Sequence, residues 1–132
     1  MLTNLGINVR TDPASFTYIT GIVGKDGEVF PETKNKKKVP LPPGLPKESI
    51  ALRLEIPNHA LWGWTLYYNP QIKEMANAIN KLCIIEFKDK RWLRIVKLKL
   101  RSGVFITTSI TSEDMQETEI DVAYPVEWLS AI

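Results

Sequence analysis

Ile50-Ala51-Leu52-Arg53-Leu54-Glu55-Ile56 and, thirty residues on, Leu82-Cys83-Ile84-Ile85-Glu86-Phe87-Lys88-Asp89-Lys90-Arg91-Trp92-Leu93-Arg94-Ile95-Val96-Lys97-Leu98 decide the fold class. Within the first run, Ala51 to Ile56 alternates apolar and polar residues at period two, the mark of a half-buried strand. The second is two apolar runs around a charged turn at Lys88-Asp89-Lys90, which predicts a β-hairpin. Thr65-Leu66-Tyr67-Tyr68 between them is rich in strand formers. Ile72, Met75, Ala76 and Ile79 fall at i, i+3, i+4 and i+7, the stripe of one amphipathic helix of about three turns.

Working outward, Ser15 to Val23 and Glu28 to Phe30 read as the first strands, after a short polar lead over residues 1–14. Residues 32–47 read as a Lys/Pro-rich loop. Val104 to Ser109 and Ile120 to Leu129 close the sheet, and Thr111 to Glu117 is expected to be an exposed acidic loop. Lys97, Lys99 and Arg101 alternate with Val96, Leu98 and Leu100, which predicts a strand with one wet face. Nine prolines, seven glycines and turn-spaced strands favour a mainly β architecture over a helical bundle, in one domain spanning residues 1–132.

Composition narrows the function classes. With 44% hydrophobic and 24% charged residues the chain has ordinary globular usage. It holds no run near the roughly 20 apolar residues of a membrane span and no basic-then-apolar leader, so a cytoplasmic protein is expected. A lone cysteine excludes an internal disulfide and a Cys-rich zinc site; Cys83, between Leu82 and Ile84, reads as a buried inert thiol. His59 is the one histidine and reads as a loop residue; no metal or cofactor is called for. A net charge of +2 is too small to announce nucleic-acid binding, and the basic run Lys34-Asn35-Lys36-Lys37-Lys38 reads as a solvated linker, with no helix-turn-helix beside it.

Several short motifs, taken in order, carry a resemblance. Val23-Gly24-x-x-Gly27-Glu28-Val29-Phe30-Pro31 is followed by Val39-Pro40-x-Pro42-Pro43-Gly44 and then by Gly63-Trp64-Thr65-Leu66-Tyr67-Tyr68. Lys81-Leu82-Cys83 then opens the hairpin, and Tyr124-Pro125-Val126-Glu127-Trp128 closes the series. From Thr20 to Trp128 the chain resembles the C-terminal domain of LexA-like phage repressors, which pair an N-terminal helix-turn-helix with a self-cleaving serine-lysine peptidase domain. The resemblance implies a LexA/signal-peptidase-like fold of coiled β-sheets with one short helix. It also implies a dimer, since such domains pair repressors on palindromic operators.

The chemistry of that family needs a serine nucleophile and a neutral lysine base. Lys97 is the match for the lysine. The family's Gly-Asp-Ser-Met, after the strand equivalent to Ala51–Ile56, is replaced by a stretch through Pro57, Asn58 and His59, and no Ser, Thr or Cys lies between Ser49 and Thr65. The family's Ala-Gly cleavage site is matched by Lys25 and Asp26, charged residues that cost several kcal/mol to bury unpaired. The expectation is therefore a pseudo-peptidase, acting as a dimerisation or regulatory module of phage or mobile-element transcription control.

Its partners would be a second copy of itself or a full-length repressor that it titrates, without specific DNA contact by this chain. If Met1 is the natural start, the DNA-reading half is missing; if upstream residues belong to the protein, the domain would dimerise a DNA-binding chain. Trp62 and Trp64 would line or plug the vacated groove, unless they are core. Val126, Trp128 and Leu129 would form the dimer contact on a terminal edge strand. The rivals are a peptidase using Ser49 or Thr65 with Lys97, and a module that binds peptide along an exposed sheet edge.

Overall fold

The computed structural model describes residues 15–131 except Thr33, Asn35 and Glu74, and the side chains of Ala76 and Asn77 are likewise left aside. The polar lead over residues 1–14 lies outside the described residues. The elements are β1 (Phe16–Val23), β2 (Val29–Pro31), β3 (Lys38–Pro40), β4 (Ile50–Leu54), β5 (Thr65–Tyr68), β6 (Lys81–Phe87), β7 (Lys90–Arg101), β8 (Val104–Thr108), β9 (Met115–Glu119) and β10 (Val122–Ser130), with single 3-10 turns at Lys25–Gly27 and Met75–Ala78. The fold is mainly β, as the sequence pattern predicts. The strands follow the order β2-β1-β4-β5-β10-β6-β7-β8-β9, with β3 on β1. All pairs are antiparallel except β1 with β4.

The last strand joins two half-sheets. Val122 to Pro125 pair with Glu86 to Cys83 of β6, and Val126 to Ser130 pair with Tyr68 to Thr65 of β5. The expected edge position of Val126, Trp128 and Leu129 is thereby overturned: β10 is an interior strand. A register shift between Val126 and Trp128 suits this, because Val126 and Leu129 both pack against the main core while Trp128 stays half-exposed. That core holds Leu52, Leu54, Leu66 and Tyr68 from one half and Ile84, Leu93 and Tyr124 from the other, so the halves coil over each other. Burial of this apolar surface is the main stabilising term.

β5 is buried along its whole length. Leu66 and Tyr68 enter the main core, whereas Tyr67 joins Ile19, Val39 and Ala51 on the opposite face. Tyr67 also donates its hydroxyl to the Pro40 carbonyl at 2.9 Å. This second apolar surface explains why residues 32–47 are not all loop. Val39 is buried in it, and β3 pairs with β1.

Two further expectations change. The helix of three turns reduces to the Met75–Ala78 turn, which supplies Ala78 to a third cluster with Cys83, Ile85, Val96 and Phe105. The chain turns at Asn69, whose carbonyl accepts from Ile72 N–H. It turns again at Asn80, left-handed at φ 64°, whose N–H bonds Val96 O at 2.6 Å. Too little chain remains between these anchors to repay helix nucleation. The acidic stretch also becomes structured: Met115–Glu119 forms β9 against β8, because cross-strand bonding to a fixed neighbour overrides the poor strand propensity of Gln and Glu.

The predicted hairpin forms as β6 and β7, with Phe87 opposite Lys90. Lys88 and Asp89 make the two-residue turn, both left-handed at φ 49° and 67°, the signature of a type I′ turn, which favours Asn-Gly. The Lys88 N–H donates to Asp121 Oδ2 at 3.2 Å and would do so in any residue. The double substitution Lys88→Asn, Asp89→Gly is expected to stabilise the domain by about 1 kcal/mol, raising Tm by roughly 3–5 °C. Thermal unfolding measures it, and a lowered Tm would reject the turn assignment.

Candidate functional site

The loop from β4 to β5 is a chain of tight turns closed on itself. Leu54 N–H bonds Trp64 O at 2.8 Å and Gly63 N–H bonds Leu54 O at 2.7 Å, which clamps the loop base. Inside it, His59 N–H reaches Ile56 O at 3.2 Å, Trp62 N–H reaches His59 O at 3.0 Å, and Asn58 is left-handed at φ 61°. The His59 ring is used internally, Nδ1 accepting from Leu61 N–H at 3.0 Å. This bond places the proton of the neutral ring on Nε2. Leu61 and Trp64 pack on the main core, while Trp62 is 55% exposed. The two tryptophans therefore do not act as a pair: one is core and one is surface.

The Gly24–Gly27 turn begins beside this loop. Val23 is the last residue of β1, and its carbonyl accepts the Glu55 N–H at 2.8 Å, extending the parallel β1–β4 pair. From there the turn crosses to β7. Glu28 bridges to Trp92, and Gly27, at φ 80°, is so close to β7 that a Cβ would lie 2.6 Å from the Leu93 carbonyl oxygen. Asp26 adopts φ 62° at the tip.

The cation facing the turn is Arg94. Its Nε donates to Thr107 Oγ1 at 2.7 Å, and Thr107 Oγ1 in turn lies 2.8 Å from Thr118 Oγ1. Burial lowers the Arg94 guanidinium from its ordinary value, and the Asp26 charge offsets part of that shift. Trp92, Arg94 and Gln116 are shared by two adjoining clefts, of about 310 Å³ toward Phe87 and Glu119 and about 480 Å³ toward Asp26 and Asp114. Sequence reasoning missed Arg94. The signal was present in Trp92-Leu93-Arg94, where the cation sits one residue from a core leucine, but the choice of facing segment depends on the coiling of the sheet.

Lys97 lies elsewhere. Val96 pairs with Thr107 and Leu98 with Ile106, so Lys97 is extruded as a β-bulge. It lines a cleft with Ile95 and residues 108–113 and Met115. Ser49 is buried at the entry to β4, its carbonyl accepting from Thr17 Oγ1 at 3.4 Å, and Thr65 is wholly buried in β5. Neither shares a described cleft with Lys97. Lys25 flanks Asp26 in the 3-10 turn. Lys34, Lys36, Lys37 and Lys38 are exposed, and Lys38 Nζ stands 4.2 Å above the Phe16 ring.

Burial raises the Cys83 thiol to about 11, so it is protonated near neutrality, as an inert thiol should be. Among the described residues no helix is long and apolar enough to cross a membrane. No protein-family model, curated protein or solved structure matches the chain.

Proposed function

We propose that this domain is a non-cleaving relative of LexA-like repressor C-terminal domains, serving as a dimerising regulatory module in phage or mobile-element transcription control. The observation that carries the reading is the place of Arg94, which lines one cleft with Asp26 of the Gly24–Gly27 turn. The resemblance puts the scissile peptide in that turn and the nucleophile after β4, and the two segments start side by side at Val23 and Glu55. Charged Asp26 stands in the turn, no hydroxyl or thiol follows β4 before Thr65, and the facing cation is an arginine. An arginine stays protonated and cannot take a proton from a nucleophile. An arrangement that keeps the docking of the turn while lacking both reactive groups fits a retained scaffold with lost chemistry.

The regulatory role rests on association with a second copy or with an intact repressor. Direct DNA contact by this chain is confined to the exposed lysines before β3, and a few phosphate contacts of this kind give weak, salt-sensitive, unselective binding.

The purified protein is expected to stay intact during prolonged incubation at mildly alkaline pH. The pH should remain below about 9, for a reason set by Cys83. Its folded value is raised to about 11 from an ordinary 9.0, so the native state holds the proton while the unfolded thiol loses it. Stability is full below the unfolded value and falls as pH climbs from 9 toward 11. Intact-mass spectrometry at pH 8.5 reads the result, and a fragment pair split between Gly24 and Gly27 would refute the non-cleaving assignment.

A further inference from the structure

The outer end of the second half-sheet reverses the usual rule that an exposed sheet face is polar. Residues opposite each other in register share a face. Ile95–Thr108–Met115, Leu98–Ile106–Glu117 and Arg101–Val104–Glu119 form three such rows across β7, β8 and β9. The opposite face holds buried Val96 and Phe105 in the third cluster. The outward face thus carries the half-buried Val104 and Ile106 beside Leu98, 45% exposed, and at its inner end Ile95 and Met115, 71% exposed, flank Thr108, which is buried beside residues 109–113. The bulge at Lys97 causes this. Without it Leu98 would share the inward face of Val96; with it Leu98 turns outward beside Arg101, and the expected wet face of β7 gains an apolar residue.

Charge is sorted across the same face. β7 contributes Arg101 with bulged Lys97 beside it, the central strand β8 contributes Val104 and Ile106, and β9 contributes Glu117 and Glu119. Arg101 Nη1 and Glu117 Oε1 are 3.6 Å apart within the chain, both well exposed, which confirms that the two rows project to one side. A two-fold axis parallel to β8 carries β7 of one copy over β9 of the other and keeps each row level. Arg101 then meets Glu119, Leu98 and the bulged Lys97 meet Glu117, and Ile106 meets its own copy on the axis, while Ile95 and Met115 lie at the end where Thr108 is buried. An axis across the strands would instead stack β7 on β7 and set like charges together. The open edge of β9 is no substitute, because Glu113, Asp114, Glu117 and Glu119 guard it against edge pairing.

We propose that the outward face of β7–β8–β9 is the self-association surface of this protein, occupied by a second copy related by that axis. The charge pattern argues for a second copy, since the face is its own complement in the isologous sense, and an apolar strip with a charged rim is the anatomy of an interface. The assignment gives the dimerising reading its surface and rests on it.

Size-exclusion chromatography with light scattering, run on the full chain over a concentration series, decides the matter. The native protein is expected to show a concentration-dependent dimer and Leu98→Glu a monomer with unchanged far-UV circular dichroism. Arg101→Glu and Glu119→Arg should each weaken the dimer about tenfold or more, equivalent to about 1.4 kcal/mol, and the double reversal should bring it back to within a few fold of native. Trp128→Glu should leave it unchanged. A dimer that survives Leu98→Glu, or a double reversal no better than the singles, overturns the surface while leaving the dimerising reading in place. A native monomer at ~0.5 mM, where a Kd near 1 mM would still give visible dimer, overturns both.

Discussion

Replacing Gly27 by alanine is expected to cost about 3 kcal/mol or more, enough to leave a domain of ordinary stability partly unfolded at 37 °C. Two penalties add. Gly27 sits at φ 80°, where a non-glycine residue is strained by roughly 1–2 kcal/mol. The new Cβ would also fall 2.6 Å from the Leu93 carbonyl oxygen, a backbone atom that cannot swing aside. Relief requires the Gly24–Gly27 turn to lift off β7, which breaks the Glu28–Trp92 bridge and moves Asp26 from Arg94. Gly44→Ala is the matched control. That glycine is equally left-handed at φ 87°, but no atom stands within 4 Å of its would-be Cβ, so only the conformational penalty applies. Urea unfolding of both variants separates strain from collision; equal losses would mean that the turn is not seated on β7.

Leu66→Ala is expected to destabilise by about 3–4 kcal/mol. Leu66 has no exposed surface, lies opposite Leu52 on β4 and Leu129 on β10, and sits in the main core. Strands on both sides fix its walls, so the cavity collapses little and the cost lies above the transfer term alone. Trp128→Ala on the neighbouring strand should cost below about 1 kcal/mol, because that side chain is already 47% exposed. Denaturant midpoints for the pair test the interior placement of β5 and β10. A Trp128→Ala loss matching that of Leu66→Ala would show that β10 buries its other face.

Local pattern made much of the fold readable. The period-two run at Ala51–Ile56 and the paired runs around Lys88-Asp89 became β4 and the β6–β7 hairpin, because a two-residue turn and its flanking strands are neighbours in sequence and specify one another. The helix was misread because the apolar spacing of Ile72, Met75 and Ile79 describes a face without saying whether chain length between anchors permits the turns to form. β9 was missed because its residues disfavour strands and its partner β8 makes the strand worthwhile.

For the candidate site, sequence supplied what is absent and structure supplied what is present. The lack of Ser, Thr or Cys between Ser49 and Thr65 and the charged Lys25-Asp26 pair are composition facts, independent of any packing. That Arg94 and not Lys97 faces the turn depends on the face that strand alternation gives Arg94 and on the coiling of one half-sheet over the other. The mainly β class, the hairpin, the burial of Cys83 and the lack of Ser, Thr or Cys between Ser49 and Thr65 were legible in the sequence alone, since each follows from residues within a few positions of one another. The interior place of β10, the outward turn of Leu98 and the cation that shares a cleft with Asp26 came from the tertiary structure. Those outcomes turn on strand order and on a single extruded residue, and a one-residue shift in register carries every following side chain to the other face.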